Sequence, residues 1–233
     1  MGFNTDTTGD GFDFYSPAFV AVGYDTVDIQ QIILDDGGAQ SIGWGAEDFA
    51  IWAGGPDLVA GSTFLYYDPT MDPAGEALTY YWGDDVGAKA TYAIAAGQGV
   101  VINAAGDLEI KVVGQVPEAQ QVSFTSVDGF NFTGNPFPAA IDIQAIALDD
   151  GGAQSIGWGA EDFAIWQGGP DLVAGSTFLY YDPTMDPAGE ALTYYWGDDV
   201  GAKATYSIAA GQGVIINCAG DLDVTIDPPY AAL

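Results

Sequence analysis

At 233 residues with 33 acidic side chains, three lysines and neither arginine nor histidine, the chain carries a formal charge of −30. Nucleic acid is excluded as a partner, because neutralising phosphate needs cations that are missing here, and anionic membrane surfaces are disfavoured for the same reason. A hydrophobic share of 48% with 13% aromatics excludes a disordered polyanion and predicts a packed fold.

Residues 1–6 do not read as a signal peptide, so a protein exported by that route is expected to have lost one by cleavage. The segment Phe3-Asn4-Thr5-Asp6-Thr7-Thr8 lacks apolar alternation, whereas its later counterpart Gln121-Val122-Ser123-Phe124-Thr125-Ser126 keeps it. Two readings follow: a frayed polar terminus, or a first module that lacks an edge strand and receives one from a neighbouring subunit, through the neighbour's Leu222-Asp223-Val224-Thr225-Ile226 and its tail. Val27, Ile29 and Ile33 alternating with Asp28 and Gln30 predict a strand.

Residues 34–108 then align without a gap on 148–222, at an offset of 114 and with four differences, Ala53/Gln167, Ala93/Ser207, Val101/Ile215 and Ala104/Cys218. The repeat predicts two tandem domains, 1–115 and 116–233, joined by a linker over 114–120. Each is long enough to bury roughly 65% of its unfolded surface. Inside each copy the strands expected are Thr63-Phe64-Leu65-Tyr66-Tyr67, Leu78-Thr79-Tyr80-Tyr81-Trp82, Gly99-Val100-Val101-Ile102-Asn103 and Leu108-Glu109-Ile110-Lys111-Val112-Val113. Turn chemistry separates them at Gly37-Gly38, Gly54-Gly55-Pro56, Asp72-Pro73 and 104–107. No segment sustains a helical period, and short strands at this spacing point to an all-β fold of two near-identical sandwich or barrel-like domains.

The run Gly129-Phe130-Asn131-Phe132-Thr133-Gly134-Asn135-Pro136-Phe137-Pro138, with Gly211-Gln212-Gly213-Val214-Ile215-Ile216 later, resembles β-rich modules of secreted and surface proteins of bacteria. The first copy keeps Gly97-Gln98-Gly99 but has Ser16-Pro17-Ala18-Phe19 in place of the opening run. The resemblance implies an extracellular β module and carries over no catalytic residue.

Chemistry is limited by the missing residue types. Without histidine there is no imidazole base or metal ligand, and without arginine no bidentate clamp. Carboxylate pairs remain, but a non-enzymatic role is expected. The best ligand candidate is calcium: Asp68, Asp72 and Glu76, repeated as Asp182, Asp186 and Glu190, bring three carboxylates into one turn-rich loop of the kind hard cations use. Asp is also simply a favoured turn residue. All six tryptophans lie in the repeat (Trp44, Trp52, Trp82, Trp158, Trp166, Trp196); with runs such as Tyr80-Tyr81-Trp82 they suit core, subunit interface or stacking on sugars. Tyr80, Trp82, Phe124, Val224 and Ile226 are the interface residues expected. The lone Cys218 reads as a small core residue, with an intermolecular disulfide as the other reading. The whole predicts an extracellular structural protein, a self-assembling subunit of a filament, surface layer or matrix; a secreted glycan-binding or adhesive module is the alternative. Self-repulsion makes that assembly depend on salt or divalent cations.

Overall fold

The computed structural model describes residues 2–7, 11–19, 26–35, 48–51, 63–84, 86–104, 108–116, 121–149, 162–165 and 177–230. In the first half the strands are β1 (Gly2–Thr7), β2 (Gly11–Tyr15), β3 (Thr26–Asp28), β4 (Ile32–Asp35), β5 (Asp48–Ile51), β6 (Thr63–Tyr67), β7 (Tyr81–Gly83), β8 (Ala93–Ala95), β9 (Val100–Ala104) and β10 (Glu109–Gly114). In the second they are β11 (Val122–Thr125), β12 (Gly129–Gly134), β13 (Ile141–Asp142), β14 (Ile146–Asp149), β15 (Asp162–Ile165), β16 (Thr177–Tyr181), β17 (Tyr195–Gly197), β18 (Ser207–Ile208), β19 (Gly213–Cys218) and β20 (Asp223–Ile226). The described residues are thus strand-rich and all-β, with 3-10 turns as their helical element.

Strand order is the same in both halves. A three-stranded sheet β1-β10-β4 corresponds to β11-β20-β14, a five-stranded sheet β2-β9-β5-β6-β7 to β12-β19-β15-β16-β17, and a pair β3-β8 to β13-β18. All the pairings are antiparallel. Period-two alternation explains the inner faces: Val100, Ile102 and Ala104 of β9 and Ile110 and Val112 of β10 point inward, while Lys111 points out to bridge Asp35 and Glu109 in a solvent-screened network that adds little to stability. Each half buries its own apolar cluster, around Trp82, Tyr66, Ile29 and Ile102 in the first and around Trp196, Tyr180, Ile143 and Ile216 in the second.

Several sequence expectations change. The polar segment 2–7 is neither frayed nor replaced: β1 pairs with β10 from Gly2↔Gly114 to Thr7↔Glu109, the place β11 holds on β20. Ladder pairing uses backbone groups and so does not need apolar alternation. The segment 222–226 is likewise occupied at home, with β20 between β11 and β14. The strand expected through 27–33 is broken by a 3-10 turn, Ile29–Gln31, because Asp28 accepts from Gln30 N and the Gln31 side chain accepts from Asp28 N, a capping box. Leu78, Thr79 and Tyr80 lie before β7 rather than in it. Gly114 of the expected linker closes β10, residues 117–120 lie outside the described residues, and so do Trp44, Trp52, Trp158, Trp166 and the glycine turns at 37–38 and 54–55.

Candidate functional site

The loop between β6 and β7 begins at Asp68, whose carboxylate accepts from Thr70 N and Thr70 Oγ1 and caps a 3-10 turn, Pro69–Met71. Asp72 then accepts from Ala74 N at one oxygen and from Glu76 N and Ala77 N at the other, all at 2.7–2.9 Å. Asp182 and Asp186 repeat every one of these bonds. The Thr70 hydroxyl, then its amide, holds the Asp68 carboxyl below its ordinary range. The amides of Ala74, Ala77 and Glu76, with Lys89 nearby, do so for Asp72. No group of three or more potential metal ligands gathers among the described residues. Asp68, Asp72 and Glu76 stand in one loop and Asp182, Asp186 and Glu190 in its copy; Asp72 and Asp186 direct both oxygens at backbone amides, and one oxygen of Asp68 or Asp182 takes the threonine amide and hydroxyl.

These bonds carry a pH dependence with a defined sign. A depressed carboxyl pKa contributes stability that is complete above the unfolded value, near 3.9, and is lost as pH falls through the lower folded value. Replacing Asp72 and Asp186 with alanine is expected to lower the thermal midpoint at pH 7 and to cost progressively less as pH falls below about 4. A parent–variant gap in thermal midpoint that stays constant over that range would show that the amide bonds do not stabilise the fold.

Two large apolar side chains stand exposed on this loop and the next. Leu78 is 93% exposed and Val86 73%, and in the second copy Leu192 and Val200 match them at 93% and 73%. Leu78 and Val86 stand on adjoining loops, since the backbone at Gly87 (φ +81) lies against Met71 O and Pro73, and the Tyr81 hydroxyl donates to Gly87 O at 2.8 Å. Burial pushes that phenol's pKa up. A shallow groove of about 250 Å3 runs beside Leu78, Tyr80, Glu76, Thr79, Lys89 and Gln30, with a counterpart of about 270 Å3 beside Leu192 and Tyr194. Both are below the roughly 300 Å3 at which small-molecule pockets begin. Tyr80 stacks on buried Tyr66 at 5.8 Å, and Tyr66 leans on Trp82 at 4.7 Å.

Of the five residues expected at an interface, Tyr80 is exposed and Phe124 half-buried. Trp82, Val224 and Ile226 are fully buried in their own halves; Trp82 Nε1 donates to Ile32 O at 2.8 Å. Those three are core residues of the folded chain. Cys218 is buried where Ala104 is buried in the first half.

The sequence reading missed a second surface, the seam between the halves. Tyr15 bridges Gln212 and Thr133 bridges Gln98, both antiparallel. Ser16 N donates to Gly211 O and Gly99 N to Phe132 O, each at 3.0 Å; Thr133 Oγ1 donates to Gly97 O at 2.6 Å. Phe14 and Phe132 stack face to face at 4.6 Å and 8°. Ala96 of the first half packs on the second core, and Ala210 of the second half on the first. The contacts are reciprocal: the edge strand of each half meets the Gly-Gln-Gly turn of the other. That turn is set locally by Gln98 Oε1 accepting from Ala95 N, and by Gln212 Oε1 accepting from Ala209 N. Gly99 and Gly213 permit the approach. A Cβ on Gly99 would sit 2.5 Å from Thr133 O, and one on Gly213 2.7 Å from Phe14 C. A glycine beginning a strand, repeated in both copies, is the signal that could have found this seam.

The opening run of the second copy also has a structural use. Asn131 Oδ1 accepts from Val127 N while its Nδ2 donates to Val127 O and Gly129 O. Asn135, fully buried, donates to Ala139 O and Ile208 O and accepts from Phe137 N. Both amides are occupied in holding backbone.

No family model, curated protein or solved structure matches the chain.

Proposed function

We propose that this chain is an extracellular, non-enzymatic structural protein whose two β modules, residues 1–115 and 116–233, each sandwich-like, assemble with copies of the same chain into a filament, surface layer or matrix. The observation that carries the reading is the duplication of exposed apolar residues on the two loops that flank one strand, Leu78 and Val86 about β7 and Leu192 and Val200 about β17. Isolated exposed apolar residues are ordinary, but two on touching loops, presented twice by one chain, make it bivalent. A bivalent unit that contacts its neighbour through unlike faces forms an open array. Matching strand order and a separate apolar cluster in each half support the two-module reading. The near absence of trypsin-type cleavage residues supports the outside location, as does the resemblance of the second copy to secreted β modules.

At −30 per chain association works against repulsion, and calcium enters as a counter-ion that screens the acidic loops. Assembly is therefore expected to strengthen with salt and with millimolar divalent cations. Replacing Leu78 and Leu192 with aspartate is expected to abolish particles in light scattering and negative-stain microscopy while leaving the thermal midpoint unchanged, since both side chains are almost wholly in solvent. Particles that persist in that variant, or that form equally at low and high ionic strength, would sink the reading. A second reading, binding of polysaccharide, is favoured by one observation: Tyr80 and Tyr194 present stacked, part-exposed rings beside a polar groove. Dispersed monomers retained on a polysaccharide column would select it instead.

A further inference from the structure

The seam between the halves has the form of a dimer interface drawn inside one chain. Position for position, Tyr15 corresponds to Thr133, Ser16 to Gly134 and Gln98 to Gln212, so the bridges Tyr15↔Gln212 and Gln98↔Thr133 are one contact made twice about a pseudo-twofold axis. Phe14 and Phe132 stack across the seam at equivalent positions. Each contact pairs a residue before the 114–120 segment with one after it. The same contacts arise unchanged when the two halves belong to different chains; only the connecting segment and the local concentration differ.

The axis is not symmetric in one respect. A Cβ placed on Gly134 would collide with the Ser16 Cβ and lie 2.5 Å from Gln212 O. Ser16 is thus accommodated because its counterpart has no side chain. Two first halves facing each other would set serine against serine in that space. A second half facing a first half is the fit observed.

We propose that this seam also forms in trans, the first half of one chain docking on the second half of another copy, and that Ser16 against Gly134 bars first halves from pairing with each other. The inference rests on the reading that the chain assembles with itself, and it adds a second contact that assembly needs: exchange closed on two chains gives a dimer, exchange passed from chain to chain gives a linked run of chains, and the exposed residues at Leu78 and Leu192 join these into particles.

The test uses full-length chains in which Cys218→Ala removes the native thiol, a change to the residue that position 104 already carries. Phe14→Cys is made in one chain and Phe132→Cys in another that is isotopically labelled, so that mixed and like products differ in mass. Each chain then holds one thiol and cannot link to itself. A short bifunctional thiol reagent is added under assembling salt, with light scattering on the same samples. The mixed product is expected to exceed the Phe14→Cys homodimer by about tenfold or more, as a steric bar of this kind implies. The double variant Phe14→Cys/Phe132→Cys, linked within single chains while dilute, is expected to stay monomeric when salt is raised. Particles with no excess of mixed product, or assembly by the internally linked double variant, would overturn trans docking while leaving self-assembly standing. An absence of particles in every sample, the parent chain included, would overturn both.

Discussion

The Gly99→Ala/Gly213→Ala double variant is expected to release the two halves from one another, with a larger radius of gyration in small-angle scattering and loss of hydrogen-exchange protection at the Ser16 and Gly99 amides. Those amides donate across the seam at 3.0 Å, so they report docking directly. Each added methyl lands on backbone: on Thr133 O and N, at 2.5 and 2.8 Å, for position 99, and on Phe14 C and Tyr15 N, at 2.7 and 2.8 Å, for position 213. Paired backbone cannot move aside as a long side chain can, and overpacking of this sort costs about 1–3 kcal/mol per site. Two sites together reach the scale of a small intramolecular contact, in which only a few rings and bridges are buried. Gly75→Ala separates this effect from glycine strain in general. Gly75 has φ +69 and nothing within 4 Å of a Cβ, so its substitution costs about 1 kcal/mol of backbone strain and leaves amide protection at the seam intact. A Gly99→Ala/Gly213→Ala chain with the parent's radius and protection would mean that the halves are held by something other than this approach.

What could be read from the sequence followed from local periodicity. Residues 108–113, 122–125 and 223–226 alternate inward and outward, and β10, β11 and β20 fall on them within a residue. The repeat made the second half a copy of the first, and Cys218 in the core follows from its alanine counterpart. The failures came where one segment's conformation is decided by another. Leu78, Thr79 and Tyr80 look like the start of a strand, yet the Asp72 carboxylate collects the Glu76 and Ala77 amides just ahead of them and holds that stretch in a loop. Asp28 and Ile29 fit an alternating pattern, but a capping box leaves no alternation signature and turns the chain there. β1 is polar because an edge strand can be held by its ladder alone. Acidic spacing in 68–76 places three carboxylates in one loop, but that Asp68 and Asp72 accept from that loop's own amides leaves no mark in the spacing. Gly-Gln-Gly was visible as a motif in both copies; that it meets the other copy's edge strand requires the two halves in one frame.

The other large effect is expected at Gln30, a residue without any sequence signal of importance. Its carboxamide lies between two strands of chain: Nε2 donates to Trp82 O at 2.7 Å and Ala90 O at 2.8 Å, and Oε1 accepts from Trp82 N at 3.1 Å. Gln144 does the same for Trp196 and Ala204. The 3-10 turn that displaced the expected strand is what aims this side chain at the β7 edge, beside fully buried Trp82. Gln30→Glu keeps the shape and removes both donors, so two carbonyls face a carboxylate. Trp82 O still accepts from Ala90 N at 2.8 Å, so the expected loss in denaturant unfolding at pH 7 is about 1–3 kcal/mol, the cost of a buried polar group losing its partner. The introduced carboxylate is disfavoured in its charged form, so its folded pKa is raised above the unfolded value of about 4.3. Its penalty is therefore full above the raised value and is partly relieved as pH falls through it, because the neutral acid regains one donor. Gln30→Leu, which has no such titration, is expected to lose stability by a comparable amount at pH 7 and to show no relief in acid. Equal stability of Gln30→Glu and parent at pH 7 would show that the β7 edge is held without the carboxamide. A loss that does not depend on pH would place the damage in packing rather than in the two missing donors.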